Sequence, residues 1–316
     1  MLGRNKLLKP LNLTNKPTPI EKYQFNDFTI HIKRDDLNGL VESGNKARKL
    51  EYLLSDALNK KCDTIITAGY LNSNHCRITA YFCSRLGLKS ILVLNCLKKR
   101  KKIEKDGNLL LDYLFGAEIH FLNNKEYKEK ERYVENLVKR LEKKGYRPYY
   151  IPTGGSNEIG ILGYRDCFLE MVDYLKENKI DGIFCAVGSG GTYAGLLYGK
   201  LLTNLDIPIY GILVDETIDY FKIKIKDILK KLDCQIDEKS FHLIDGYIGK
   251  GYGIPYKEEI KLMKEWAKKG IIFDLTYTGK AFYGMIKESK KIGLKNPLFI
   301  HTGGIFSIFA HKEYLK

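Results

Sequence analysis

Three basic side chains, Lys46, Arg48 and Lys49, fall within four positions of the stretch ESGNKARKLE (42–51), directly after Gly44. From residue 47 onward Ala47, Leu50, Leu54, Ala57 and Leu58 mark one apolar helix face, so Gly44, Asn45 and Lys46 occupy its first turn or the residues just before it. Three chemistries fit such a cluster: a solvated basic helix start, a phosphate grip, or a reactive amine. A helix N-terminus repels cations, and aspartate or glutamate would be the stabilising choice there. The same field favours the neutral amine, which is the nucleophilic form that adds to a carbonyl. Arg48, on another side of the helix, reads as solvated.

Four further stretches carry groups of the right type. AVGSGGTYAG (186–195) runs from an apolar strand through Gly188, Ser189, Gly190, Gly191 and Thr192 into a helix. Glycines let consecutive backbone N–H groups converge, and the helix start adds partial positive charge, which together make a phosphate cup. The dinucleotide fingerprint fails because its third glycine would fall at Tyr193, and no Gly-Lys-Ser/Thr ends a Walker loop. A glycine-rich turn is equally a tight connection and nothing more. In TAGYLNSNHCR (67–77), Ser73 or Asn74 caps the helix that follows, or faces a ligand at a strand's carboxyl end together with Asn72 and His75. A lone histidine there is more often packed than catalytic. HTGG (301–304) offers Thr302, and DLTYTGKA (274–281) offers Tyr277 and Thr278 ahead of a helix. A phenol with a pKa of about 10 works as acid or base only when a neighbour tunes it, so a structural tyrosine is the default.

The elements that must position these groups alternate along the chain. From residue 62 the pattern reads strand 63–69, helix 73–88, strand 90–95, helix 106–116, strand 117–122, helix 126–145 and strand 146–152. It continues with helix 157–177, strand 182–188, helix 192–202, strand 207–215, helices 217–232, 256–269 and 279–291, and strand 297–304. Such alternation predicts right-handed βαβ units, two parallel-sheet α/β layers, and ligands beyond the carboxyl ends of the strands.

Composition narrows the class. Of 316 residues, 44% are hydrophobic and 29% charged, and no apolar run approaches the ~18 needed to span a bilayer. The start, MLGRNKLLKPLNL, is broken by lysine and proline before a signal-peptide core forms, so a cytoplasmic protein without a membrane partner is expected. Seven scattered cysteines with no Cys-x-x-Cys pair suggest neither a disulfide framework nor a metal site. The net charge of +15 raises nucleic acid as a partner. Its lysines, however, alternate with glutamate along helical stretches such as 123–145, as on a solvated surface. An anionic small molecule is the better expectation.

In order, KRDDLNGLVESGNKARKLEYLLSDAL, TAGYLNSNHCRITA, IPTGGSNEIGILGY, AVGSGGTYAGL, GYIGKGYGIP, YTGKAFYG and FIHTGG resemble the D-cysteine desulfhydrase and 1-aminocyclopropane-1-carboxylate deaminase family of pyridoxal-phosphate enzymes, over about Lys33 to Phe309. The resemblance implies the tryptophan-synthase-β-like fold of type II. It implies a large cofactor-binding domain from residues 1–46 and 156–316, a small inserted α/β domain at 47–155, an active site between them, and a homodimer. It implies that Lys46 is the Schiff-base lysine and that Lys46, Ser73 and Tyr277 are catalytic. Asn74 would lie near the cofactor's ring hydroxyl, Thr302 near its pyridine nitrogen, and the 188–192 loop, helped by Lys49, on its phosphate. Asn72, Ser73, Asn74, His75, Tyr252 and Tyr277 would meet the substrate.

Deaminases of this family typically carry glutamate after the active-site tyrosine and leucine in the final H-x-GG motif, where this chain has Thr278 and Thr302. A neutral hydroxyl supports a protonated pyridine less than a carboxylate does, and a weaker electron sink still suffices when the electrons reaching Cα leave at once with a β-substituent. The expectation is a β-eliminating lyase of D-cysteine type. A deaminase of aminocyclopropane carboxylate, a lyase on L-cysteate or diaminopropionate, and a non-catalytic binder of the cofactor or of nucleic acid are the alternatives. Asn72, Ser43, Lys250, Phe306 and Ser307 depart from the family pattern.

Overall fold

The computed structural model describes residues 8–96, 103–251 and 253–315. Two parallel-sheet α/β domains carry the chain. In the larger sheet a hairpin, β1 (Ile20–Phe25) and β2 (Phe28–Lys33), leads through β10 (Pro297–Ile300), β7 (Gly182–Val187) and β8 (Ile209–Leu213) to β9 (His242–Ile244). Only β1 runs antiparallel; the other neighbours pair in parallel. The smaller sheet is wholly parallel, in the order β5 (Glu118–Leu122), β4 (Lys89–Asn95), β3 (Thr64–Tyr70), β6 (Pro148–Ile151).

Helices cover both faces of each sheet, as parallel strands buried on both sides require. α6 (Leu162–Glu177), α7 (Gly191–Leu201) and α8 (Ile218–Lys230) close one apolar core around Phe168, Tyr193 and Phe221. α9 (Lys257–Ala267) and α10 (Thr278–Ile292) close the opposite one around Trp266, Phe273 and Phe282. In the small domain α1 (Asn45–Asn59) and α2 (Asn74–Leu86) pack one face, α3 (Gly107–Leu114) adds to it, and α5 (Lys130–Glu142) packs the other.

The elements expected from residue 62 onward are present, with shifted ends. The helix expected over 126–145 breaks at Glu129 into α4 (Asn124–Lys128) and α5, because Asn123 and Glu126 form a capping box that starts a separate turn. The helix expected from 157 begins only at Leu162. The β1–β2 hairpin and β9 went unread in the sequence.

A site-related expectation is also overturned. Arg48 is not solvated; it is buried. Its guanidinium donates to Asp35 at 2.9 and 2.8 Å and to Glu170 at 2.9 Å. The reason is that α1 is enclosed on nearly every side, so the helix face away from the apolar stripe also lies inside the protein.

Candidate active site

The carboxyl ends of β3, β7 and β10 converge on one cavity of about 780 Å³, open mouth included. Lys46 stands in its wall, in the first turn of α1. That turn has no side-chain cap. It is held through its own N–H groups instead: Gly44 N–H donates to the side-chain Oδ1 of Asn38 at 3.0 Å, and Asn45 N–H donates to the Thr302 carbonyl at 3.1 Å. Gly44 has φ 114°, and a Cβ there would lie 2.6 Å from the Thr302 oxygen. Only glycine allows both that backbone conformation and that approach. The Asn45 side chain donates to Thr192 Oγ1 at 2.9 Å, which ties the start of α1 to the glycine loop.

Burial lowers the Lys46 pKa to about 8; Asp274 acts to raise it and Lys224 to lower it further. Lys49, one turn on, is fully buried and lies outside the cavity wall. Its ammonium donates to the Gly154 carbonyl at 3.2 Å and Ser156 Oγ at 3.4 Å. Burial, then Lys46 and Lys224, hold its pKa well below the usual lysine value. Ser156 in turn meets Ser189 Oγ at 2.8 Å. Lys49 therefore supports the loop Gly188–Thr192 from beneath. A Cβ at Gly191 would sit 2.7 Å from Lys49 Nζ and 2.4 Å from Ser156 Oγ, so the loop can rest on these groups only as glycine.

Across the cavity, Ser73 does what the capping reading expects, accepting from Cys76 N–H at 3.2 Å, while it also lines the wall. Asn74 lines the wall and accepts from Asn108 Nδ2 at 2.8 Å. His75 is buried beside the cavity, and its Nε2 lies 2.8 Å from Thr67 Oγ1. The Thr67 hydroxyl spends its one proton on the Ile151 carbonyl at 2.8 Å, so the histidine must be the donor and its Nδ1 carries a bare lone pair. Among the described residues that Nδ1 has no partner. Burial, with Lys46 and Lys49 adding, holds His75 neutral well below its ordinary pKa. Asn72 is set back from the wall, its side-chain oxygen turned toward Gly107.

Tyr277 and Thr302 complete the far side. The Tyr277 ring lies over Gly188. Behind it the fully buried Asp274 carboxylate accepts from the N–H groups of Thr276, Tyr277 and Thr278 at 3.0, 3.1 and 2.7 Å and from Thr278 Oγ1 at 2.7 Å. Thr278 is thus turned into the protein, not into the cavity. Lys250 is exposed and outside the wall, and Tyr252 lies outside the described residues.

Sequence reasoning passed over Asn45, Tyr70, Ser156, Asp215 and Asp274, all of which line or brace the cavity. A signal existed for two of them. Asp274 directly precedes the LTYTG turn it caps, and Ser156 ends the TGGS run of a recognisable block.

The sequence profile of the family described as pyridoxal-phosphate dependent enzyme matches residues 11–303. The chain belongs to this family. A protein of Thermotoga maritima with the provisional name 1-aminocyclopropane-1-carboxylate deaminase is 46% identical over 96% of the chain and 99% of its own length. A mitochondrial protein of Arabidopsis thaliana, named a bifunctional D-cysteine desulfhydrase/1-aminocyclopropane-1-carboxylate deaminase, is 37% identical over 96% of the chain and 81% of its own length. A crystal structure described as an ACC deaminase homologue superposes with a TM-score of 0.89 at 38% identity, over 98% of this chain and 96% of that one. The protein is a pyridoxal-phosphate-dependent lyase of the D-cysteine desulfhydrase and 1-aminocyclopropane-1-carboxylate deaminase group, with the type II fold.

The cavity suits that cofactor on its own chemistry. Among the described residues no side chain caps the start of α7, so its first N–H groups are open to an anion. Two lysines nearby, the buried Lys49 and the half-buried Lys46, lack any bonded carboxylate among the described residues, and Lys46 is open to the cavity with its pKa lowered to about 8. A phosphate at the loop and an aldehyde at Lys46 would satisfy both. Among the described residues no helix is long and apolar enough to cross a membrane, and no cluster of metal ligands is present.

Proposed function

We infer that the protein is a β-eliminating lyase of D-cysteine type, converting D-cysteine and water to pyruvate, hydrogen sulfide and ammonia. The observation that carries this reading is the neutral hydroxyl of Thr302 in the cavity wall; Thr278 is turned away from the cavity, and of the nearby carboxylates Asp274 is committed to four hydrogen bonds behind the wall while Asp215 lines it. Bound pyridoxal phosphate supplies a carbonyl for the substrate's amine and a ring that takes up electrons freed at Cα.

The chain's own residues would do the rest. Lys46 anchors the cofactor and, once displaced by the substrate's amine, takes the Cα proton; a pKa of about 8 leaves a usable fraction of free amine near neutrality. The loop 188–192, braced by Lys49, would hold the phosphate. Ser73 and Asn74 would bond the substrate carboxylate and the cofactor's ring hydroxyl, and Thr302 would meet the ring nitrogen. Tyr277 closes the substrate face opposite His75. Asn72 acts through its backbone carbonyl, which holds Asn108 at 2.8 Å behind Asn74. We place the cofactor domain at residues 1–46 and 156–316, the inserted domain at 47–155, and the working unit as a homodimer, which light scattering would check.

A second reading, opening of the aminocyclopropane ring, is favoured by the name of the Thermotoga relative. The two separate on one preparation. D-Cysteine should yield sulfide and pyruvate while 1-aminocyclopropane-1-carboxylate yields little α-ketobutyrate; α-ketobutyrate without sulfide would reverse the assignment. L-Cysteate and diaminopropionate in the same assay bound the leaving group.

A further inference from the structure

Arg77 lies on α2, one turn beyond Asn74, and is fully buried. A buried guanidinium is ordinarily matched by a carboxylate, as Arg48 is here. Arg77 has no such partner within bonding distance among the described residues; Asp112 and Glu42 act on it only through space, and its Nε is unpaired. It donates instead to the backbone carbonyls of Val41 and Ser43, the latter at 3.3 Å. Its plane lies against the Phe306 ring, 4.7 Å from the centroid. A desolvated cation over an aromatic face is one of the stronger contacts of that kind.

What those partners lead to is the point. Residues 41–43 run straight into Gly44 and on to Lys46, and Phe306 lies two residues past the turn Thr302–Gly304. Ser43 and Phe306 are also two of the positions at which this chain departs from the family pattern, and Arg77 touches both. Two turns further along α2, Arg85 approaches Glu42 at 3.9 Å, so the helix meets the same loop twice.

We propose that Arg77 is a positioning residue for the reaction: it sets the loop that delivers Lys46 and the turn that carries Thr302 in register with the helix that carries Asn74 and His75. The inference rests on the cavity being the reaction site, and not on which amino acid is consumed. Its use of Phe306 makes the register sensitive to an aromatic ring outside the cavity wall.

The test uses the full-length protein loaded with pyridoxal phosphate and the variants Arg77→Lys and Phe306→Leu. Hydrogen exchange read by mass spectrometry over residues 40–46 and 302–308, with β7 and β8 as internal reference, is measured alongside steady-state kinetics. In Arg77→Lys both segments should exchange about tenfold faster or more, and kcat should fall about 10- to 100-fold with KM nearly unchanged, because a displacement near 1 Å costs up to that much. Phe306→Leu should act in the same direction, more weakly and mainly on 302–308. The double variant should lose less than the product of the singles, since they share one contact. Unchanged exchange in both segments of folded Arg77→Lys, or a loss confined to KM, overturns the proposal. Should that variant not fold, Phe306→Leu decides alone, and unchanged exchange at 302–308 overturns it. Because exchange needs no substrate, faster exchange with no sulfide from wild-type protein upholds Arg77 and faults only the substrate assignment.

Discussion

Helix α1 buries cations on two sides, and the two surroundings differ in kind. On one side Arg48 meets Asp35 and Glu170 through bonds of 2.8 to 2.9 Å, Tyr164 donates to Asp35 at 2.7 Å, and Lys33 also reaches Glu170. On the other, Lys46 and Lys49 have no bonded carboxylate among the described residues, and burial pulls both toward neutrality. The first side is electrostatically complete without a ligand. The second is complete only when an anion arrives. Buried charge that is matched is architecture, and buried charge left unmatched beside a cavity marks where a ligand belongs.

The sharpest way to break this contrast is to remove one cation from each side. Lys46→Ala should lower sulfide release from D-cysteine by at least about 10³-fold, since it deletes anchor and proton carrier together. Arg48→Met should leave turnover chemistry in place and strip the buried Asp35 of its bonded cation, while Glu170 keeps Lys33, costing about 3–5 kcal/mol of unfolding free energy in a urea titration. A cost below about 1 kcal/mol would put the buried network on the footing of a surface ion pair. Lys49→Met should weaken pyridoxal-phosphate binding, read by fluorescence titration, by about tenfold, the value of about one hydrogen bond lost from beneath the loop; an unchanged Kd would remove Lys49 from the phosphate's support.

The smallest expected effect concerns pH. In cofactor-free protein Lys46 should react with acetic anhydride at a rate that rises through pH 8 and then levels, while surface lysines rise at higher pH. The sign for stability follows from the lowered value. Below pH 8 the folded state bears the cost of a buried charged amine, and that cost is relieved as pH climbs from about 8 toward the ordinary lysine range, where both states become neutral.

Much of the cavity could be read before folding was known, because its groups announce themselves locally. A glycine run between an apolar strand and a helix, a serine at a helix start, and a lysine where the helix dipole disfavours it each follow from neighbours in sequence. The hairpin was equally local: IEKYQF and FTIHIK flank Asn26, whose positive φ of 50° suits a tight turn. What stayed hidden depends on distant segments. Arg48 is buried because Glu170 arrives from 122 residues away, and Arg77 finds Phe306 only after β10 has returned to the sheet centre. The exposed Lys250 and inward Thr278 show the same limit, since a residue's type does not say which way a loop turns it.

The central claim is that the unmatched side of α1 is where the cofactor is bonded, and reduction followed by peptide mapping tests it most directly. Protein loaded with pyridoxal phosphate and treated with borohydride should carry the pyridoxyl group on the peptide containing Lys46. A label on Lys49, Lys280 or another lysine, or none at all, would contradict the account.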